Sequence, residues 1–382
     1  MIPHARPVMS GKEGLYLQEC VTTNFVSSVG PFVDRLERQL AEATGSAGAV
    51  ATSSGTTALH ASLLTVGVGR DDLVVLPSFT FIASANAIAH CGAIPWLMDI
   101  DEETWTLDAD LLRRSLDAEA RRDGDRVIHR PTGRRIAAIM PVHTLGVAAD
   151  MEGLRRIADD FGLPVVADAA AALGASFRGK AIGDMGADLS VISFNGNKTV
   201  TAGGGGMIVG NDPELIGLAR HLTTTARAGE EYSHDRVGYN YRMTNLQAAV
   251  GCAQMERWQE LVEAKRRIRR RYDDAFGNIA TVGTFPDPPD RGSACWLSGI
   301  RLRPPAPTVQ SLRDALRRQD IETRAFWKPV HRQLPYQDAP RSAMAVTDAL
   351  WPTILTLPCS TDLSEADQAR VIDAVRQAID AA

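Results

Sequence analysis

Lysine is scarce in this 382-residue chain. Of its 41 Lys and Arg residues, only five are lysines: Lys12, Lys180, Lys198, Lys265 and Lys328. Lys198 lies between an apolar run and four consecutive glycines, in the stretch "SFNGNKTVTAGGGGMIVG" (193–210). Most of the basic residues are arginines, whose pKa is too high for proton transfer or covalent chemistry. Lys198 is therefore the first candidate for a reactive group.

Cysteine pairs, histidine clusters and long apolar runs are also missing. The five cysteines are scattered, odd in number and without a C-x-x-C pair, which argues against a disulfide framework or a zinc site and predicts reduced thiols. The eight histidines form no ligand pattern, so no metal is expected. Pro77, His90 and Pro95 interrupt the most apolar zone, and the N-terminus shows no signal peptide. We therefore expect a cytoplasmic protein without a membrane partner.

Positive charge is not in excess either. The net charge is −5 and the pI about 5.9, which argues against general nucleic-acid binding. One basic run, "KRRIRRRY" (265–272), remains a possible nucleic-acid patch. The alternative is a solvated helix face with Ile268 and Tyr272, at i and i+4, turned inward, and we favour it.

Strand-like and helix-like segments alternate over most of the chain, as in "AGAVATSS" followed by "GTTALHASLLTVGVG". This alternation predicts an α/β fold with a mainly parallel sheet covered by helices. After about residue 243 comes a long helical pattern, about 244–276, and then a smaller α+β unit. The sequence thus predicts a large domain, 1–255, and a small C-terminal domain, 256–382, joined by one long helix.

Four local signals are candidates for a binding site. Asp168 ends a strand in "LPVVADAAAALGA", where open α/β sheets bind ligands, although an ordinary strand end or N-cap explains it too. Gly55 and Thr56 begin a helix after a strand, which suits a phosphate as well as simple capping. Phe79 and Phe81 lie at a similar junction, where an aromatic ring can stack on a flat ligand or fill the core.

Known motifs for other chemistries are missing. The four glycines precede an apolar run and fit neither G-x-G-x-x-G nor G-x-x-x-x-G-K-[ST], so we expect them to allow a close backbone approach near Lys198. There is no G-x-S-x-G for a serine hydrolase. A lysine, a strand-end carboxylate, a helix start for phosphate and an aromatic ring are together what pyridoxal 5'-phosphate requires.

In order and spacing, these segments resemble the DegT/StrS-type sugar-nucleotide aminotransferases, which are fold-type-I pyridoxal phosphate enzymes. The resemblance covers nearly the whole chain and rests on "SSGTTALHASL", "PSFTFIASANAI", "GAIPWLMDID", "PVHTLG", "VVADAAAALGA", "SFNGNKTVTAGGGGMIV", "GYNYRMTNLQAAVGCAQ" and "FWKPVH". It implies a large domain with a seven-stranded sheet between helices. It also implies roles for individual residues. Lys198 resembles the lysine that binds the cofactor covalently, and Asp168 the partner of its ring nitrogen. The other cofactor-binding residues implied are Gly55, Thr56, Phe81, Ser193 and, toward the neighbouring subunit of a homodimer with shared sites, Asn240.

Two segments depart from the family pattern. Many relatives have "SFHATK" where this chain has "SFNGNK". Many also have Gln, His or Glu three residues after the aspartate, where this chain has Ala171, so a polar side chain is missing there or supplied from elsewhere. Lys198 itself argues against the branch that carries histidine in its place and acts as a dehydratase.

The stretches "SFNGNKTVTAGGGG", "FVSSVGPFVDRLE" and "RAFWKPVH" resemble the branch of this family that serves legionaminic acid and bacillosamine synthesis. This resemblance implies transfer of the amino group of L-glutamate to C4 of a UDP-linked 4-keto-6-deoxy-N-acetylglucosamine. The candidates for sugar-nucleotide contacts are Ser27, Ser28, Trp327, Lys328 and His331. Trp327 is equally explained by core packing, and His331 by a backbone-bonded loop. The alternatives are a dTDP- or GDP-linked keto sugar, or a non-enzymatic binding or regulatory protein that keeps the fold.

Overall fold

The computed structural model describes residues 1–229 and 231–381. In the first two thirds of the chain, its helices are α1 (Glu13–Thr22), α2 (Pro31–Thr44), α3 (Gly55–Thr65), α4 (Ile82–His90), α5 (Ala109–Glu119), α6 (Met151–Phe161), α7 (Pro213–Thr223) and α8 (Asn245–Met255). The strands of the same part are β1 (Gly48–Thr52), β2 (Leu73–Pro77), β3 (Ile94–Met98), β4 (Ala120–Asp123), β5 (Arg126–His129), β6 (Arg135–Ile139), β7 (Val166–Asp168), β8 (Ser176–Phe177), β9 (Lys180–Ala181), β10 (Leu189–Ser193), β11 (Gly206–Gly210), β12 (Arg227–Ala228) and β13 (Ser233–His234).

Seven of these strands form the central sheet, in the order β3-β2-β6-β7-β10-β11-β1. Parallel bridges from Ile139 to Val165 and from Val142 to Asp168 join its two halves. All neighbours are parallel except β11, which is antiparallel to β10 and β1. The prediction of a mainly parallel, seven-stranded sheet is confirmed.

Helices cover both faces of this sheet. Apolar residues of α1, α2, α5, α6 and α8 pack on one face, and those of α3, α4 and α7 on the other. Because both faces are covered, strands such as β2, "LVVLP", are buried at every position and read as continuous apolar runs. The polar segment 119–135 forms the hairpin β4–β5 beside the start of β6.

The rest of the chain builds a smaller unit. Its helices are α9 (Trp258–Phe276), α10 (Val309–Arg317), α11 (Ala345–Leu350) and α12 (Glu365–Asp380). Its strands are β14 (Val282–Gly283), β15 (Arg291–Gly292), β16 (Ser298–Leu302), β17 (Arg324–Ala325) and β18 (Ile354–Leu357). An antiparallel sheet, β14-β16-β18-β17, shares an apolar core with α9, α10 and α12. Ser364 caps α12 by accepting from the N–H of Asp367, as expected.

The predicted single helix over 244–276 is wrong, because α8 and α9 are separate helices with a break at Glu256 and Arg257. The Glu256 carboxylate accepts hydrogen bonds from Tyr16 and Arg35, which hold the end of α8 against α1 and α2. No glycine or proline marks the break, so no residue there signals the end of a helix.

The basic run on α9 is less exposed than predicted. Ile268 and Tyr272 are buried, as expected. Lys265 and Arg269 are buried as well, which corrects the solvated-face prediction for these two. Lys265 Nζ donates to the carbonyl of Cys359 (2.6 Å), and Arg269 Nε donates to both carboxylate oxygens of its i+4 neighbour on α9. Hydrogen bonds to backbone and side-chain acceptors inside the small unit thus offset the free-energy cost of burying both cations.

The division of the chain at residue 255 stays a prediction, but the N-terminal residues do not pack where that division placed them. Ile2 pairs with Ile321 in a parallel bridge and lies in the apolar core of the small unit. The carbonyl of His4 accepts from the N–H of Cys359 (2.8 Å). Within residues 1–229 and 231–381, no helix is long and apolar enough to cross a membrane.

Candidate active site

A cavity of about 580 Å³ lies at the carboxyl ends of the central strands. Asp168 is the last residue of β7 and Ser193 the last of β10, while Gly55 begins α3 just after β1. The small unit closes the opposite wall with Trp296, Trp327 and neighbouring residues. The cavity therefore occupies the place where open α/β sheets bind ligands.

Most of the cofactor residues expected from the sequence meet in this cavity. Its lining includes Lys198, Asp168, Gly55, Thr56, Phe81, Ser193 and, from the small unit, Trp327. These side chains come from four strand ends and from a segment more than 120 residues further along the chain. Only folding brings them together, so their presence in one cavity supports the binding role predicted for each of them.

Lys198 is held in a turn after β10, where its N–H donates to the carbonyl of Asn195 (2.9 Å). Its Nζ lies 3.5 Å from the centre of the Trp296 ring, and no acceptor or ion-pair partner of Nζ occurs among the described residues. Burial lowers the pKa of Lys198 to about 8, and the negative charge of Asp168 opposes part of that shift. The neutral form of this amine, which a nucleophile or base requires, is thus far more accessible near physiological pH than that of an ordinary lysine.

Asp168 is 6% exposed and firmly positioned. Its Oδ2 accepts from Ser84 Oγ (2.6 Å), and its Oδ1 accepts from the N–H of Ala170 (3.1 Å). These two bonds orient the carboxylate and leave further lone pairs available for a ligand. A fixed negative charge in a buried wall is suited to pair with a positive ring nitrogen.

The start of α3 provides a site for a phosphate. Ser54 caps the helix by accepting from the N–H of Thr57, whose hydroxyl accepts in return from the N–H of Ser54. The N–H groups of Gly55 and Thr56 lie in the first turn, where no intrahelical acceptor reaches them. A Cβ on Gly55 would lie 3.0 Å from that of Ser193, so glycine lets α3 approach β10 closely.

Phe81 supplies the exposed aromatic face of the site. It is 53% exposed, precedes α4, and meets the edge of Trp327 with ring centres 5.7 Å apart. Phe79, the other aromatic of that segment, is buried in the core of the small unit and takes no part. An amine, a carboxylate, a free helix start and an aromatic face in one cavity fit pyridoxal phosphate.

Several functional residues were missed by the sequence reasoning. Trp296 covers the Lys198 amine and donates from Nε1 to the carbonyl of Asn197 (2.8 Å), and Ser84 orients Asp168. His4 and Arg324 line the cavity from the N-terminus and from β17. Only the serine hydroxyl inside the quoted "SFTFIASANAI" segment carried a local signal, because the other three reach the site through tertiary packing.

His331 lies outside the cavity of the single protomer, and its predicted contact with the sugar nucleotide stays a prediction. Its Nδ1 bonds with Ser78 Oγ (2.7 Å) and its Nε2 with Asp348 Oδ1 (2.9 Å), so both ring nitrogens are used inside the fold. Burial lowers its pKa. The turn at 330–332, which follows Pro329, directs the imidazole toward the end of β2 rather than toward Lys198.

Four other predicted residues lie outside the cavity of the single protomer. Lys328 is exposed beside Trp327, and its carbonyl accepts from Gln333 Nε2. Ser27 is exposed, Ser28 is half-buried and Asn240 is exposed. Their roles stay predictions, and the role of Asn240 is the one expected toward a neighbouring subunit.

Comparison with known proteins decides the family. Residues 8–376 match the family model described as DegT/DnrJ/EryC1/StrS aminotransferase family. The chain belongs to this family. GDP-perosamine synthase of Caulobacter vibrioides is 37% identical over 379 residues, covering 98% of this chain and 97% of the relative. EpsN of Bacillus subtilis (strain 168), whose name assigns it as a pyridoxal phosphate-dependent aminotransferase, is 36% identical over 375 residues, covering 96% and 93%.

A solved structure agrees with the fold. The crystal structure of a DegT DnrJ EryC1 StrS aminotransferase from Brucella abortus has a TM-score of 0.88 and 29% identity, covering 96% of this chain and 95% of that one. The predicted fold-type-I class, the sugar aminotransferase family and the cofactor pyridoxal 5'-phosphate are thereby confirmed. The legionaminic acid and bacillosamine branch is not, because the Caulobacter relative is named for a GDP-linked product.

Proposed function

We propose that this enzyme transfers the amino group of L-glutamate to C4 of a nucleotide-linked 4-keto-6-deoxy sugar. The first candidate substrate is UDP-2-acetamido-2,6-dideoxy-4-hexulose, which would give UDP-4-amino-4,6-dideoxy-GlcNAc for a surface glycan of the legionaminic acid or bacillosamine type. The observation that carries the transamination is the amine of Lys198, unpaired among the described residues and with a lowered pKa, in one cavity with Asp168 and the start of α3.

The protein's first task is to hold the cofactor. The N–H groups of Gly55 and Thr56, at the positive end of the α3 dipole, would hold its phosphate, and the Ser193 hydroxyl would add a donor. Phe81 would provide an aromatic face for its ring. In a homodimer with shared sites, Asn240 of a second subunit would donate to the same phosphate. Bound pyridoxal phosphate supplies an electron sink for the negative charge left when a proton leaves the α-carbon of the amino donor.

Lys198 moves the protons. In the first half-reaction its amine would take the proton from the α-carbon of glutamate. In the second half-reaction it would give a proton to C4 of the sugar. A pKa of about 8 suits an amine that must both accept and release a proton near neutral pH. Because 2-oxoglutarate leaves before the sugar binds, the kinetics are ping-pong.

Asp168 keeps the ring nitrogen of the cofactor protonated. Ser84 Oγ and the Ala170 N–H fix the carboxylate, so it needs no reorganisation during the reaction. An opposite charge at this position favours the protonated nitrogen and with it the withdrawal of electrons from the reacting carbon.

The small unit forms the substrate side of the cavity. Trp327 bridges Phe81 and Trp296, with ring centres 5.7 and 5.8 Å apart, and the three rings make an apolar wall for a deoxy sugar. Trp296 also covers Lys198, so a sugar seated against this wall lies beside the amine. The wall supports a substrate with an apolar C6 methyl group, which a 6-deoxy sugar carries.

A GDP-linked 4-keto-6-deoxy sugar is the second candidate. It is favoured by GDP-perosamine synthases from Caulobacter vibrioides and Vibrio cholerae, which are 37% and 34% identical to this chain. The UDP-linked sugar is favoured by the likeness of "SFNGNKTVTAGGGG" and "RAFWKPVH" to the other branch. The family fold is common to both and does not separate them.

A substrate panel decides between them. The purified enzyme is incubated with L-glutamate and UDP-, GDP- or dTDP-linked 4-keto-6-deoxy sugars, and the products are identified by mass spectrometry. We expect an amino sugar from the UDP-linked N-acetyl substrate. An amino sugar from the GDP-linked sugar alone would favour the second candidate, and Lys198→Ala serves as the inactive control in every reaction.

A binding or regulatory protein that keeps the fold would behave differently. Purified enzyme should be yellow or turn yellow with added cofactor, and borohydride should then attach the cofactor to Lys198 in peptide mapping. Protein that stays colourless would support the non-enzymatic alternative, and a label on Lys180 or Lys328 would contradict the assignment of the lysine.

A further inference from the structure

The amine of Lys198 lies on the face of one aromatic ring. Its Nζ is 3.5 Å from the centre of the Trp296 ring. The other seven cation–ring contacts among the described residues all involve arginine, whose guanidinium carbon lies 4.5–6.0 Å from the ring centre. An indole face attracts a cation more strongly than the ring of Phe or Tyr does. Lys198, the one lysine among the described residues that line the cavity, thus has the closest contact of this kind.

Trp296 is held in place beside the amine. Its Nε1–H donates to the carbonyl of Asn197 (2.8 Å), the residue before Lys198, and its backbone N–H donates to the carbonyl of Leu145 (3.1 Å). Trp296 is 4% exposed and belongs to the apolar core of the small unit. Cys295, just before it, has φ of 51°, which a non-glycine residue adopts only where its surroundings enforce it. The ring and the backbone that carries Lys198 are therefore fixed to each other.

The amine keeps surface toward the cavity. Lys198 is half-buried, and Nζ has no hydrogen-bond or ion-pair partner among the described residues. Fully buried side-chain atoms without a partner occur on ten described residues, and Lys198 is not one of them, so Nζ is not enclosed. The ring therefore covers one side of the amine, and the other side is open to a ligand in the cavity.

Burial and the ring act on the amine in opposite directions. Burial disfavours the ammonium form, whereas the aromatic face and the negative charge of Asp168 favour it. An amine that takes a proton from a substrate must carry the resulting charge until it releases that proton. The face of Trp296 offers this charge a place beside the cavity, where none of the described residues accepts a hydrogen bond from it.

We propose that Trp296 is a positioning residue for Lys198: its ring face holds the ammonium form of the amine beside the cavity whenever the amine is not bonded to the cofactor. The face attracts the charge without a directional hydrogen bond, so the amine remains free to move to the ligand. A carboxylate in the same place would bind the proton too tightly for its release. The role rests on the proposed proton transfer by Lys198 and not on which sugar nucleotide is the substrate.

The test measures the pKa of Lys198 in enzyme saturated with pyridoxamine 5'-phosphate, which carries its own amine and leaves Lys198 unbonded. Because the chain has five lysines, labelling lysine Cε with carbon-13 should give five signals in nuclear magnetic resonance, and Lys198→Arg identifies the signal of interest. Trp296→Phe keeps an aromatic face, whereas Trp296→Leu opens similar space without one. We expect Lys198 to bind its proton about 10-fold more weakly in Trp296→Leu than in Trp296→Phe.

Trp327→Leu is the matched control. It removes the neighbouring ring of the same cavity, whose centre is 5.8 Å from that of Trp296, and keeps the face under Nζ. Proton binding by Lys198 should then stay within about twofold of the parent. The signals of the other four lysines should titrate alike in all variants. If Trp296→Leu does not fold, Trp296→Met takes its place, because methionine also fills apolar space without an aromatic face.

The sign of the change separates this role from simple shielding. A ring that only kept water from the amine would act in the opposite direction, because the smaller leucine would admit water and raise the pKa. The proposal is overturned if the pKa in Trp296→Leu equals or exceeds that in Trp296→Phe, or if Trp327→Leu lowers it as much. A difference seen only in cofactor-free protein also overturns it, since the contact would then belong to the empty site. The titration needs no turnover, so a failure of the substrate panel leaves its result unchanged.

Discussion

The Lys198 ammonium lies where a charge is unfavourable. Its amine is covered by Trp296, and no described residue accepts a hydrogen bond from it or forms an ion pair with it. Asp168 is the one charge that favours its protonation, and burial outweighs that charge. The enzyme thus keeps its reactive amine at the expense of stability, as catalytic groups commonly do.

Removing this amine should stabilise the cofactor-free fold at neutral pH. The pKa of Lys198 falls from 10.5 to about 8 on folding, so the folded protein binds the proton more weakly than the unfolded chain does. The resulting penalty is complete below about pH 8, shrinks as the pH rises, and vanishes above about pH 10.5. Lys198→Met should therefore raise the thermal midpoint at pH 7 and raise it less at pH 10. Lys180→Met, at an exposed lysine, should show no such difference, and an equal gain for Lys198→Met at both pH values would contradict the argument.

Asp168→Ala should keep the fold and lose most turnover. A positioned charge that acts in the transition state contributes ~2.7–4 kcal/mol, or about 10²–10³ in rate. The measurement is turnover of the variant at saturating cofactor, with circular dichroism to verify the fold. Ser84→Ala, which removes only the bond that orients the carboxylate, should lose less. Wild-type turnover in a fully loaded Asp168→Ala enzyme would refute the assignment to the ring nitrogen.

Helix ends can be predicted where their signals lie within one helical turn. Gly162, which ends α6 in a left-handed conformation, and Ser364, which caps α12, are of this kind. The break between α8 and α9 was not predictable, since it follows from contacts of Glu256 with α1 and α2. The left-handed turn at Leu145 was missed for a similar reason, because a non-glycine residue adopts it only where the surrounding packing enforces it.

One of the four glycines, Gly206, allows the close backbone approach that was predicted for this stretch. A Cβ on Gly206 would lie 2.6 Å from the carbonyl oxygen of Ser54 and 2.7 Å from the nitrogen of Gly55. Both neighbours are backbone atoms and cannot rotate away. Glycine at position 206 therefore lets β11 press against the start of α3, where the phosphate is expected to bind.

Gly206→Ala should displace that helix start. Overpacking of this kind costs about 1–3 kcal/mol, and we expect a lower thermal midpoint together with weaker binding of pyridoxal phosphate. Gly217→Ala is the control, because its Cβ meets open space inside α7 and alanine should stabilise that helix by about 0.5–1 kcal/mol. If Gly206→Ala matched wild type in both measurements, the close packing of β11 against the start of α3 would not contribute to cofactor binding.

Considered as a whole, the molecule shows which half of a site can be predicted from sequence. The half of the site in the large domain could be predicted from the sequence. Gly55, Asp168 and Ser193 lie at strand ends, and α/β alternation places strand ends together. The half supplied by Trp296, His4 and Arg324 could not be predicted, because only the packing of the small unit and the N-terminal residues brings these residues to the site. The hydrogen bonds of His331 with Ser78 and Asp348 could not be predicted for the same reason, since both partners come from other segments of the chain.

The single protomer also exposes apolar side chains close to the residues that remain outside its cavity. Phe25, Val26 and Val29 are 44–57% exposed around Ser27 and Ser28. The carbonyls of Phe25 and Ser27 accept hydrogen bonds from Asn245, which begins α8. Exposed apolar groups clustered in this way favour an interface, and α8 follows Asn240 by only five residues.

We expect this surface to form a homodimer in which Asn240 of one subunit completes the phosphate site of the other. A two-fold interface allows this, because each subunit offers the same patch to its partner. The amide of an exposed asparagine can donate to a phosphate oxygen without adding charge. Lys198→Ala removes the amine, and Asn240→Asp places a carboxylate against the phosphate, so each variant alone should be nearly inactive.

Mixed dimers of the two variants distinguish a shared site from a site within one chain. In a mixed dimer, one site combines both defects and the other has neither. Equal co-expression makes about half of the dimers mixed, so about a quarter of wild-type activity should return. Native mass spectrometry verifies that mixed dimers form, and the separately purified variants, mixed after assembly, give the background. If confirmed mixed dimers stayed at background, Asn240 would act within its own chain and the shared-site prediction would be wrong.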